Sequence, residues 1–307
     1  MSQFNNTNII ENTPINKMHQ KKSNILDIFT LDNIRTNHSS DKVFFKITSD
    51  KPLSTDKLGQ HFDNTYHTGL NICSIPFETK GSCVDGGIYF TDKDNILKFL
   101  FYGIYLRKVD LPLDDPGFIM VKDPDSCASS VKWRASRVIL GNRLNLRDIS
   151  TFKYLMSLGV DINVDNDKPL RWAASRGYYG LVKFLLDNGA NVHAYDDEAV
   201  QLASRNGYLN VVKILVEYGA NVNANNDYAI QMACKYGYNE IVRFLVFNGA
   251  NPMANRYYPI EIATEFGNKL IVRFLLHQDK SMVYKSYAMD IAVRNENWDL
   301  LNVLLLD

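Results

Sequence analysis

The sequence is short of the groups that most catalytic, metal-binding or membrane chemistry requires. Cysteine occurs four times in 307 residues, at Cys73, Cys83, Cys127 and Cys234, with no CxxC pair, so neither a disulfide framework nor a zinc ribbon is expected. His61, His67, Cys73 and Cys83 follow one another at spacings of six, six and ten residues, which match no standard ligand frame. They are read as surface histidines and buried cysteines, and no metal or cofactor is assigned. The apolar runs around Phe99–Tyr105 and Val303–Leu306 are far shorter than the roughly 20 residues that cross a bilayer, so no membrane partner is expected. The first twenty residues contain no apolar h-region, which makes a cytoplasmic location the expectation. Glutamate before residue 131 is confined to Glu11 and Glu78. No Gly-rich phosphate loop, nucleophile elbow or HExxH sequence is found.

An excess of one charge is missing too. Lys plus Arg and Asp plus Glu are both 34; cut after residue 130, the chain holds 14 cations and 16 anions, then 20 and 18. Neither part has the cationic surplus that gripping a phosphate backbone demands, so no nucleic-acid partner is expected. Asn is plentiful, at about 10% of residues, together with Ile, Lys and Tyr, a bias read as genome composition.

What is present is a repeat. Gly-Ala-Asn occurs at Gly189, Gly219 and Gly249 and Gly-Val-Asp at Gly159, a period of 30. Aligned copies carry LVKFLL from Leu181, VVKILV from Val211, IVRFLV from Ile241 and IVRFLL from Ile271. Each is a buried helical stretch with one cation on its solvated side, at Lys183, Lys213, Arg243 and Arg273. Upstream, Ala173-Ala174, Ala203-Ser204, Ala233-Cys234 and Ala263-Thr264 give a shorter first helix small residues for close packing. Gly177, Gly207, Gly237 and Gly267 end the first helix, and Gly159, Gly189, Gly219 and Gly249 the second. Asp167, Asp197 and Asp227 are placed on exposed connections, where they would form an acidic stripe opposed to the basic one.

Helix, turn, helix and a turn to the next copy resembles the ankyrin family, most closely in stretches such as Gly207–Ala224. The resemblance implies protein binding through a concave face formed by first helices and connections. The units run 30 residues rather than 33 and lack the family's Thr-Pro-Leu-His, having Lys168-Pro169-Leu170-Arg171, Glu198-Ala199-Val200-Gln201, Tyr228-Ala229-Ile230-Gln231 and Tyr258-Pro259-Ile260-Glu261 instead. Shortened connecting hairpins are therefore expected. An all-α solenoid of about six units is placed at 131–307, with a degenerate opening unit at about 131–160 and a closing one at Tyr287–Asp307. Leu305 and Leu306 in the last helix leave self-association through that end open. Residues that vary between copies on the exposed side are Arg176, Tyr195, Arg205, Asn206, Tyr228, Lys235, Tyr236, Arg256, Tyr257, Tyr258 and Phe266. Their Tyr, Arg and Phe content suits an interface anchor, so they are the predicted protein-binding residues.

Residues 1–40 are expected to be largely disordered, being polar and Asn-rich for about the first 24. Residues 41–130 read as a small α+β domain: strands at Val43–Thr48 and Gly87–Phe90, a helix at Asn95–Tyr102 capped by Thr91 or Asp92, then strands at Ile104–Leu111 and Phe118–Val121. The stretches Cys83–Thr91, Tyr102–Arg107, Lys132–Ala135 and Val138–Gly141 resemble the segment that precedes ankyrin arrays in giant amoebal viruses of the mimivirus type. The repeat array and the lack of catalytic groups lead to the expectation of a non-enzymatic adaptor or scaffold, of viral origin as the resemblance implies, with a structural virion component as an alternative. A Gly-Gly-Ile-Tyr-Phe-Thr strand before a helix is loosely similar to ADP-ribosyltransferase-like folds, which leaves nucleotide binding by this domain as a further alternative.

Overall fold

The aromatic and β-branched run FFKIT forms β2 (Phe44–Thr48) at the centre of an antiparallel sheet. The computed structural model describes residues 28–29, 42–49, 66–80, 86–124, 131–278 and 283–306. The disorder expected for 1–40 therefore falls, apart from Ile28–Phe29, outside the described residues. The other strands are β1 (Ile28–Phe29), β3 (Gly69–Ile72), β4 (Ile88–Asp92), β5 (Tyr105–Asp110), β6 (Met120–Lys122), β7 (Trp133–Ala135), β8 (Arg137–Leu140) and β9 (Leu144–Asn145). Their order is β1-β6-β7-β4-β2-β5-β8-β3, with β9 added on β5. Period-two alternation sorts the sheet's residues into two layers. Phe44, Val109, Phe90 and Trp133 enter one apolar cluster, while Phe45, Ile47 and Leu106 enter another that continues without a break into the helical repeats.

Three strands lie beyond the expected boundary at residue 130. Val138 and Leu140 are buried while Ile139 between them is exposed, the alternation of a strand, so residues 133–145 complete the sheet and do not begin the solenoid. The opening unit consequently has only its second helix, α1 (Ile149–Ser157). A 3₁₀ helix, Ile96–Tyr102, kinked at Phe99, stands where a first helix would be and packs on α2 (Val164–Ser175). The cap expected from Thr91 or Asp92 is displaced: Asn95 holds the N-cap position with no side-chain cap bond, and Asp92 Oδ1 accepts the Asn95 amide at 3.1 Å in the turn before it. The sheet unit thus caps the open end of the array, burying Ile96, Leu97 and Leu100 with Phe152 and Leu170.

Five helix pairs follow, in which the first helices are α2, α4 (Ala194–Arg205), α6 (Ala224–Lys235), α8 (Ala254–Glu265) and α10 (Val283–Arg294). Their partners are α3 (Tyr179–Asp187), α5 (Leu209–Glu217), α7 (Asn239–Phe247), α9 (Lys269–Gln278) and α11 (Trp298–Leu306). First helices pack on one another more densely than second helices do. The cause is the small pair at the contact, since Ala173, Ala174, Ala203, Ser204, Ala233, Cys234, Ala263 and Thr264 are all fully buried. In α11, Leu300 and Leu304 face the stack, whereas Trp298 and Leu305 are exposed.

No strand pair forms among the described residues of the connections between units, so there the shortened hairpins expected from sequence are replaced by something different. In each of the four fully described connections, at the start of the first-helix range given above, three consecutive residues take left-handed backbone angles: Asp165–Asp167, Tyr195–Asp197, Asn225–Asp227 and Asn255–Tyr257, with φ between 49° and 75°. This region costs most side chains about 1–2 kcal/mol per residue but is the one Asn and Asp tolerate best. Nine of the twelve are Asn or Asp. Part of the Asn richness read as genome bias therefore has a local conformational cause.

The third residue of the turn corrects a second expectation. Asp167, Asp197 and Asp227 are buried and form no exposed acidic stripe. Asp197 Oδ1 accepts the Asn221 backbone N–H at 2.8 Å, and Asp227 Oδ1 accepts that of Asn251 at 2.7 Å. The Asn191 amide bonds Asp167 in the same way, so each carboxylate ties its turn to the next unit. Burial raises the pKa of Asp167 and Asp227 against the opposing effect of these bonds. The missing Thr-His pair is replaced as well: Gln201 and Gln231 donate to the carbonyls of Asp196 and Asn226, each at 2.6 Å, and Arg171 Nε to that of Asn166 at 3.0 Å.

Candidate protein-binding site

The predicted binding residues do not form one patch. Tyr195, Tyr228, Arg256, Tyr257 and Tyr258 lie in or just after the left-handed turns, at the N-terminal end of the first helices. Arg176, Arg205, Asn206, Lys235, Tyr236 and Phe266 lie at the other end. The eight or so helical residues between these rims separate them by about 12 Å.

At the turn rim, Tyr257 and Tyr258 are half-buried and packed on the core, so their rings support the array as well as facing outward. Tyr195 is exposed, and the Arg171 guanidinium sits 4.3 Å from its ring centre. Arg171 also pairs with Glu198 of the next unit at 2.5 Å. Residue variation did not single out Arg171, because it occupies a position where neighbouring copies carry Gln; its reach across the unit boundary is visible only in the structure.

At the opposite rim, Arg176, Asn206, Tyr236 and Phe266 occupy the same position in successive units, the residue that ends each first helix. All four are exposed. Glycine follows each one at positive φ. At Gly177 a Cβ would lie 2.5 Å from the Tyr208 ring, and at Gly207 2.6 Å from Tyr238, so these two positions need glycine for space as well as for conformation. The row changes from polar to aromatic along the array. Lys235 stands 5.8 Å from the centre of the Tyr236 ring and 5.3 Å from that of Phe266, and Tyr238 is tilted against Tyr236 at 6.3 Å. A cation between two exposed rings on a rigid helical scaffold offers the amphipathic contact area typical of interface anchors.

The sheet unit holds cations that sequence reading missed. Lys46 Nζ donates to the Tyr89 carbonyl at 2.8 Å and stands 4.4 Å from the centre of the Tyr66 ring; burial lowers its pKa to about 8. Arg107, across from it on β5, is buried and donates to the carbonyls of Gly141 (2.9 Å) and Tyr66 (3.2 Å). Arg134 lies 5.3 Å from the centre of the Phe77 ring and 5.7 Å from that of Tyr89. Cys73 Sγ accepts the Gly87 amide at 2.9 Å. His61 and Cys83 lie outside the described residues. No group of three or more His, Cys, Asp or Glu among the described residues is placed to hold a metal. No helix among them is long and apolar enough to cross a membrane.

Stacked helix pairs with a variable exposed rim define a tandem-repeat recognition scaffold. The ankyrin-repeat family, as three copies, matches residues 143–226 and 193–256. An ankyrin repeat protein of Acanthamoeba polyphaga mimivirus is 37% identical over 153 residues, 49% of this chain and 70% of that protein. An uncharacterized protein of the same virus is 37% identical over 144 residues, 46% of this chain and 95% of its own length. Another of its ankyrin repeat proteins is 41% identical over 128 residues, 40% of this chain and 19% of that protein. The chain belongs to the ankyrin-repeat proteins and is similar to members found in this virus.

Proposed function

We propose that the chain is a non-enzymatic viral adaptor that binds a protein through the inner side of its array, in the cytoplasm of the host cell. The observation that carries this reading is the aromatic end of the rim row, Tyr236 and Phe266 with Lys235 between them, on a side of the solenoid not needed for its core. Ankyrin repeats in general support protein–protein interaction, and the lack of a catalytic constellation in the sequence favours binding over turnover. The turn rim with Tyr195 and Arg171 provides a second line of contact about 12 Å away, a spacing suited to a segment lying across the first helices. The sheet unit serves as the cap of the array.

The test is crosslinked capture from infected amoebae with the wild-type chain and with Tyr236→Ala, Phe266→Ala and Lys235→Glu. Recovery of a protein by the wild type and its loss in these variants is the expected result. An unchanged set of recovered proteins would refute the assignment of this rim. Heat evolved on titrating NAD into the full chain would instead favour the nucleotide-binding alternative, and high copy number in purified particles a structural role in the virion.

A further inference from the structure

The second helices, on the opposite side of the array, carry a departure from their own repeat. Residues 187, 217, 247 and 277 are equivalent, and so are 180, 210, 240 and 270. In the groove between α3 and α5, Lys183 is paired with Asp187 at 3.2 Å, and Tyr218 hydrogen-bonds the same carboxylate. The next groove, between α5 and α7, again sets acids, Glu217 and Glu240, beside its cations Lys213 and Arg243. Counting the two repeat cations and the residues at these two positions, both grooves are formally neutral.

The groove between α7 and α9 is different. Phe247, His277 and Leu270 stand at three of its four positions, Glu240 of α7 is the one acid left among them, and both repeat cations, Arg243 and Arg273, are kept. The same count gives +1 with His277 neutral. Here a cleft of about 650 Å³ opens, lined by Arg243, Phe247, Leu270, Phe274 and His277 among others, with no carboxylate among the described residues of its lining. Phe247 is 86% exposed and Leu270 65%. The Arg243 guanidinium lies 4.7 Å from the centre of the Phe274 ring and donates from Nε to Asn239 Oδ1 at 3.4 Å, with no ion pair to it among the described residues. Apolar side chains have replaced acids at solvent-facing positions, which lowers solubility without adding to the core, and Arg243 is placed to select the charge of an occupant.

We propose that this groove docks an acidic peptide segment of a partner protein, with an apolar side chain seated on Phe247 and Leu270 and a flanking carboxylate beside Arg243. Charge complementarity commits the occupant to an acidic segment, and the exposed Phe–Leu pair requires it to be amphipathic. The site lies on the outer helices and is independent of the inner rim of the proposed function.

Short random peptides displayed on phage, selected against the full chain and remade with a fluorescent label, provide the probe. The expected peptides carry Asp or Glu beside Leu, Ile or Phe. Their affinity, read by anisotropy, falls about tenfold or more in Phe247→Asp and in Arg243→Glu, stays unchanged in Tyr236→Ala, and weakens as NaCl rises from about 50 to about 300 mM. All three substitutions are at exposed positions, and circular dichroism checks that the variants fold. Failure to select acidic peptides, or equal binding to Phe247→Asp, would overturn the proposal. So would equally tight binding of single-stranded DNA, which offers charge without an apolar anchor. A dimer in sedimentation that Phe247→Asp converts to monomer would assign the groove to a second copy of the chain instead.

Discussion

Replacing Asp227 separates the contribution of its oxygen from that of its charge. Asp227 is buried at the third position of a left-handed turn, at φ 60°, and its Oδ1 accepts the Asn251 amide at 2.7 Å. Asp227→Ala leaves that donor buried without a partner, which costs about 1–3 kcal/mol. Alanine also tolerates the left-handed region less well, adding up to about 1 kcal/mol. Asp227→Asn keeps both an accepting oxygen and the tolerance for positive φ, and it removes the ionised form that burial disfavours. Its stability at neutral pH should therefore lie within about 0.5 kcal/mol of the wild type or above it. Urea titrations followed by circular dichroism measure both. The folded-state pKa is raised, so between the ordinary carboxylate pKa and the folded value the native chain binds more protons than the unfolded one. Wild-type stability contributed by this group is then highest in acid and falls as pH rises through that window. The advantage of Asp227→Asn should grow over the same range and vanish below it. Equal destabilisation by Ala and Asn would refute the argument, because it would show that the hydrogen bond between units contributes nothing.

Three further outcomes follow from the same geometry. Gly177→Ala should destabilise more than Gly219→Ala: both pay about 1–2 kcal/mol for a left-handed alanine, but only the first forces a Cβ against a neighbour, the Tyr208 ring at 2.5 Å, whereas nothing lies within 4 Å at Gly219. Leu100→Ala, in the 3₁₀ helix of the sheet unit, should cost about 2–5 kcal/mol. It should also lower hydrogen-exchange protection in α2, since Leu100 shares a core with Leu170; full protection there would refute the cap. Lys46 has a folded pKa lowered from 10.5 to about 8, so the unfolded state holds the extra proton between those values and wild-type stability should rise with pH across them. Lys46→Met should remove that rise, as read by thermal melts.

The period of 30, the glycines that end each helix and the small residues between first helices were all legible in the sequence, because each follows from local backbone geometry or from a stripe that recurs within a few turns of chain. Gly177, Gly207, Gly237 and Gly267 do take positive φ, and every residue of the small pairs is fully buried. Glu296 replaces a turn glycine in sequence and still adopts φ 54°. The four strands Phe44–Thr48, Ile88–Asp92, Tyr105–Asp110 and Met120–Lys122 were likewise visible in residue type.

What the sequence alone did not decide depends on partners distant along the chain. Trp133–Asn145 reads as the approach to a repeat until β7 pairs with β4 and β8 with β3, contacts that span more than 40 residues in the first case and more than 60 in the second. Asp167, Asp197 and Asp227 look like solvated loop acids, and only the stacking of the next unit 24 residues on turns them into buried acceptors. Lys235 joins Tyr236 and Phe266, and Phe247 comes to face Leu270, for the same reason. The repeat by itself determined that the chain would stack. Which side chains stay in water once it has stacked is a property of the interface between units, and the tertiary structure settled it by burying the acids of the turns and leaving one aromatic rim and one cationic, apolar groove exposed.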